Sequence, residues 1–145
     1  MYSFWKRTSP PPSLAIFDAP TRETCTVRRL QTNTPLQALV LLNDPQYIKA
    51  SGGLARRMIE DGGTKTEDRI RYAFRLATAR LPRPSELEIL TAAYGREKRR
   101  FISDPAAAKA FIQEAGIVAK KEPELASLIV IASTILNLNE TITKQ

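Results

Sequence analysis

Three times along this chain a residue able to cap a helix is followed directly by proline: Thr34-Pro35, Asp44-Pro45 and Asp104-Pro105. Proline lacks an N–H, and its backbone angle already suits the first helical position. The residue before it can accept an N–H of the first turn. Each pair therefore predicts a helix start. After the first, Leu36, Ala38, Leu39, Val40, Leu41 and Leu42 are apolar on almost every side, which predicts a short buried helix. Asn43 ends it and Asp44 caps the next. That second helix, over residues 45–61, places Tyr47, Ser51, Leu54, Ala55, Met58 and Ile59 on one face. Gly52-Gly53 interrupts it at about 1 kcal/mol per glycine relative to alanine. Either another backbone approaches closely there or the helix bends.

The same reading continues downstream. Thr64 and Glu67 fit a capping box ahead of Ile70, Ala73, Phe74 and Ala77. Acids in the first turn and Arg75 and Arg80 near the end match the helix dipole, with Pro82 and Pro84 as terminators. Ser85 and Glu88 fit a second capping box, opening a fourth helix through Leu87, Leu90, Tyr94 and Phe101 that ends in the basic run Arg96 to Arg100. Asp104-Pro105 starts a fifth helix, closed by Gly116 at the position after its C-cap. Pro123 opens a sixth, with Leu125, Leu128, Ile129, Ala132, Ile135 and Leu136 at helical spacing. Its apolar run predicts a central place, and its β-branched content leaves a strand as the competing reading.

Residues 1–33 read differently. Pro10-Pro11-Pro12 favours polyproline II, and Leu14 to Phe17 fits a short strand. The expected fold is mainly α: an orthogonal or irregular bundle of about six helices with an extended N-terminal arm. The arm covers 1–33 and the helical part 34–145, together one domain, as the 145-residue length allows.

Composition narrows the chemistry. The chain has no histidine, which removes the commonest general base and metal ligand, and Cys25 is its single cysteine. There is no CxxCH haem attachment, and neither glycine pair matches a phosphate-binding loop. No cofactor and no metal site are expected in the chain. No window is long and apolar enough to span a membrane, and the first residues do not read as a signal peptide. The 22 basic residues exceed the 15 acidic ones, but they are scattered beside acids, so solvated helix faces are favoured over a nucleic-acid-binding stripe.

The one cluster open to a chemical reading lies before the helices: Asp18, Arg22, Glu23, Cys25, Arg28 and Arg29. The arginines could clamp an anion, and nearby cations could lower the thiol pKa of Cys25. Asp18 and Glu23, if suitably separated, could hydrolyse a glycosidic bond. The competing reading pairs the arginines with Asp18, Glu23 or Asp44 to hold the arm in place, and packs Cys25 under the loop. The favoured reading is structural, with no catalytic residues and the polar positions Thr34, Asp44, Thr64, Glu67, Ser85, Glu88 and Asp104 serving as caps.

The segment FWKRTSPPPSLAIFDAPTRETCTVRRLQTNTPLQALVLLNDPQ resembles the C-terminal region of the domain of unknown function 1553 family, found in large planctomycete and verrucomicrobial proteins with cytochrome c modules. RLATARLPRPSELEIL is similar to that family's R-x-P-x-x-x-E segment, and ILNLNETITKQ to its closing L-N-x-x-E-x-x-T. The resemblance implies a periplasmic or cell-envelope setting and a haem c carried by a separate module. It implies that the chain is the C-terminal half of a longer parent whose upstream region is its partner, and it supplies no catalytic residues. The expected role is a scaffold or interaction module. The alternatives are part of a polysaccharide-binding or polysaccharide-degrading protein and, third, a basic nucleic-acid-binding domain.

Overall fold

The computed structural model of the protein describes residues 12–20, 24–28, 32–117 and 122–142. Among these residues there are eight helices and no strand: α1 (Pro12–Ile16), α2 (Pro35–Asn43), α3 (Pro45–Glu60), α4 (Thr66–Thr78), α5 (Pro84–Ser103), α6 (Pro105–Glu114), α7 (Glu122–Leu136) and α8 (Asn139–Ile142). Six of them, α2 to α7, are substantial, matching the six expected, and α2, α3 and α6 start at the three cap-plus-proline pairs. The chain divides into two compact units at Val40–Leu41, within α2.

In the second unit α7 is the hub, touching α3, α4, α5, α6 and α8. Leu128, Ile129, Ile131, Ala132 and Ile135 are all completely buried. A helix surrounded on every side must be apolar all round, which is why this segment shows no polar face. The β-branched side chains that admitted a strand here are helical because packing outweighs propensity. Around α7 lie Met58 of α3, Phe74 of α4, Tyr94 and Phe101 of α5, and Ile112 of α6.

Gly52 explains itself through this packing. A Cβ there would lie 2.9 Å from the Ala115 carbonyl oxygen and 3.0 Å from Ala115 Cβ. Hence α3 runs unbroken through both glycines, and close approach, not a bend, accounts for the first of them. The Ala115 loop is shaped by a two-bond C-cap in which Ile117 N–H donates to Ile112 O and Gly116 N–H to Gln113 O. Gly116 has φ +73°, as its predicted place after the C-cap requires.

The first unit corrects the strand expectation. Pro12 opens helix α1, since proline is tolerated in a first helical turn. The helix closes with the same two-bond cap: Ala19 N–H donates to Leu14 O and Asp18 N–H to Ala15 O. Asp18 takes the left-handed position at φ +56°, which aspartate tolerates better than most residues. Leu14 to Phe17 is therefore a helical turn and its exit. Pro10 and Pro11 lie outside the described residues, as do Phe4 and Trp5.

Helix α2 corrects the expectation of burial. Leu36, Leu39 and Leu42 are about half exposed, while Gln37 is buried. The polar side chain takes the inward position because it is fully engaged in hydrogen bonds, described below.

Two caps also move. At α4 the N-cap is Lys65 without a side-chain bond, so Thr64 and Glu67 form no capping box. Glu67 sits instead in the first turn, with Arg71 one turn on at 3.9 Å. At α5 the N-cap is Arg83, because Pro84 takes the first helical position. The box carboxylate is then Glu86, which accepts the Arg83 backbone N–H at 2.7 Å, and Ser85 and Glu88 fall inside the helix. Asp44 and Asp104 cap as expected, accepting from Gln46 N–H at 2.8 Å and Ala107 N–H at 3.0 Å.

Helix α4 ends at Thr78, before Arg80 and before either proline, through Ala79 at φ +60°. A left-handed alanine is strained by about 1 kcal/mol. Ala79→Gly is accordingly expected to raise stability by roughly 0.5–1 kcal/mol, read as a higher urea midpoint at unchanged slope.

Candidate functional site

The sequence-derived cluster is only partly within the described residues: Arg22, Glu23 and Arg29 lie outside them. Cys25 and Arg28 are exposed. Asp18 is engaged. One of its carboxylate oxygens accepts the Thr32 backbone N–H at 2.8 Å and the Thr32 hydroxyl at 2.7 Å. Behind it Gln37 donates from Nε2 to Ile16 O at 2.8 Å and to Thr32 Oγ1 at 3.1 Å. Its Oε1 accepts Thr34 N–H at 3.0 Å, while Thr34 Oγ1 accepts Gln37 N–H at 3.3 Å.

This last pair is a reciprocal capping box, so Thr34 caps as predicted and Gln37 completes it. Gln37 is the residue the sequence reading missed. Its signal is the Thr-x-x-Gln spacing, masked by the surrounding leucines, which read as an apolar helix. What this cluster can do is hold the α1 exit and the segment before α2 in one geometry. Among the described residues no group of three or more metal-ligating side chains converges.

A second cluster appears where the sequence predicted only a dipole partner. Arg80, just past α4, lies between two carboxylates. Its Nε and Nη2 donate to Glu140 of α8, both at 2.8 Å. Its Nη1 and Nη2 donate to Glu86 of α5, both at 2.8 Å, and Nη1 also reaches Leu81 O at 3.2 Å. A guanidinium carries five N–H groups, and these five bonds use all of them. Its Cζ also lies over the buried Phe74 ring, 4.8 Å from the centroid. The two segments quoted for the family resemblance meet at this point: Arg80 and Glu86 belong to the R-x-P-x-x-x-E block and Glu140 to the closing block.

The electrostatics follow from the geometry. Arg80 is held more firmly cationic than usual by its bonds to Glu86 and then Glu140. Glu86 is pulled down to about 2, chiefly by Arg80 and next by the Arg83 N–H. Glu140 is lowered too, chiefly by Arg80. In the unfolded chain such carboxylates titrate near ~4.3. Between that value and about 2 the unfolded state binds more protons, so stability rises with pH there. The contribution is complete above the unfolded value and lost as pH falls through the folded one. The melting temperature is expected to fall progressively from about pH 5 toward pH 2. The fall should be shallower in Glu86→Gln.

A further tie joins α4 to α7. Arg69 Nη1 meets Glu124 Oε1 at 2.6 Å, and Arg69 Nε donates to Gly63 O at 2.9 Å. Arg69 and Arg80, which a phosphate-binding face across α4 and α5 would draw on, thus both have protein acceptors.

A family model described as PSD1, protein of unknown function (DUF1553), matches residues 1–94 of the chain. Arg80 and Glu86 fall within the matched residues and Glu140 beyond them. No curated protein and no solved structure matches the chain.

Proposed function

The chain belongs to the DUF1553 family, and we propose that it serves there as a non-catalytic helical scaffold and interaction module of a larger cell-envelope protein. The observation that carries this reading is the closure of Arg80. An arginine poised to bind an anion keeps N–H groups free, whereas this one has all five on protein oxygens, four of them carboxylate contacts. Asp18 supports the same reading, since its carboxylate is taken up by Thr32.

The envelope setting, a haem c in a separate module and an upstream partner region rest on the family resemblance. The absence of histidine from the chain is in keeping with a redox centre housed elsewhere.

Glu140→Gln in the parent protein tests the scaffold role. The scaffold reading expects less assembled parent in the envelope fraction, with haem absorbance per assembled molecule unchanged. Normal assembly with lost turnover would instead place Glu140 in chemistry and end the scaffold reading.

A further inference from the structure

We propose that the outward face of the C-terminal half of α5 docks onto an anionic lipid surface. Arg96, Lys98, Arg99 and Arg100 fall within five residues and are all exposed, with Glu97 as the acid among them. Glu97 pairs with Arg100 at 3.2 Å, yet the Arg100 side chain stays 68% exposed. Among the described residues Arg96 and Arg99 have no acceptor. Lys98 lies 5.7 Å from the Tyr94 ring centroid and Arg100 5.5 Å from that of Phe101. Both rings are buried, so the charged ends of Lys98 and Arg100 lie at the edge of the core, and Arg96 and Arg99 carry the outward charge.

Ile89, Ala92, Arg96, Arg99 and Ser103 recur at helical spacing and are exposed throughout, forming one stripe. Ile102, one turn past Arg99, is 57% exposed, and Ile89, two turns before Arg96 on the same stripe, is 66% exposed. Cations flanked by exposed apolar side chains suit the headgroup zone of a membrane, where phosphates and acyl chains meet. A nucleic acid would demand a longer cationic track. Arg69, Arg71 and Arg80, which would extend one across α4, are instead paired with carboxylates.

The test is co-sedimentation of the full chain with vesicles, either phosphatidylcholine alone or phosphatidylcholine with phosphatidylglycerol. Binding is expected only to the anionic vesicles and should weaken with added salt. Arg96→Gln with Arg99→Gln should weaken it roughly fivefold for each charge removed. Arg75→Gln, which removes an exposed charge from α4, should leave it within about twofold, screened at physiological ionic strength. Failure to bind anionic vesicles, equal binding to both kinds, or an equal loss in Arg75→Gln would overturn the proposal. So would tighter, Arg96- and Arg99-dependent binding to a DNA duplex, which would assign the face to nucleic acid.

Discussion

Arg80→Gln is expected to lower the melting temperature of the chain by roughly 5 °C or more. The substitution removes a planar donor that bridges two carboxylates from segments 54 residues apart, Glu86 and Glu140 (140 − 86 = 54). It also leaves those carboxylates facing each other without the cation that held both ionised, so repulsion adds to the lost bonds. Arg80→Lys should recover little of the loss, because an ammonium cannot make the two parallel bonds to each carboxylate. The damage should centre on α8. Its four residues are too few to be stable alone. They are tied down by Glu140, by the Thr141 hydroxyl donating to Ile135 O at 2.9 Å, and by the packing of Leu138 on the core. Amide exchange of Thr141 and Ile142 should therefore accelerate in Arg80→Gln more than that of α7, and scanning calorimetry with exchange measures both effects.

The second large effect comes from two adjacent glycines with opposite answers. Gly52→Ala is expected to destabilise by about 1–3 kcal/mol, the usual cost of an added methyl group in a packed core. The new Cβ would press on the Ala115 carbonyl oxygen and on Ile117 Cδ1, and the first of these is backbone, which cannot swing aside. The shift must pass into the Gly116 cap, whose two hydrogen bonds set that loop. At Gly53 nothing lies within 4 Å of an added Cβ. Gly53→Ala should therefore stabilise by roughly 0.5–1 kcal/mol through helix propensity alone. Urea unfolding of the pair reads both signs, and equal shifts would refute the packing explanation.

The helices were largely legible because their starts are written in local chemistry. Pro35, Pro45, Pro84 and Pro105 each occupy the first helical position, and Gly116 occupies the position after a C-cap. The fully apolar run in α7 announced its central place. Local patterns failed where two candidate caps competed. Ser85 with Glu88 matches the capping-box pattern, but Pro84 is the first helical residue, so Arg83 is the N-cap and Glu86 supplies only the bond back to its N–H. The short strand expected at Leu14 to Phe17 is a helical turn because Pro12 serves as a helix start, and the Asp18 cap that closes it uses a left-handed aspartate in place of the usual glycine.

The polar clusters were legible in part. Asp18 stood out as a carboxylate, but its partner Thr32 lies 14 residues away and follows no periodic rule. Gln37 was hidden among leucines. The Arg80 cluster shows the limit most plainly. Its two halves were visible as separate segments, yet Arg80 and Glu140 are 60 residues apart in sequence, and only the packing of α8 beside α4 brings them together.

The scaffold account depends on Arg80 being occupied by protein groups, chiefly the Glu86 and Glu140 carboxylates. Comparing the melting temperatures of Arg80→Gln, Glu140→Gln and the double variant tests this directly. If the guanidinium serves only to join those carboxylates, removing Glu140 as well relieves the exposed repulsion, and the double variant melts no lower than Arg80→Gln alone. Losses that simply add would mean the two side chains act independently, and the account would fail.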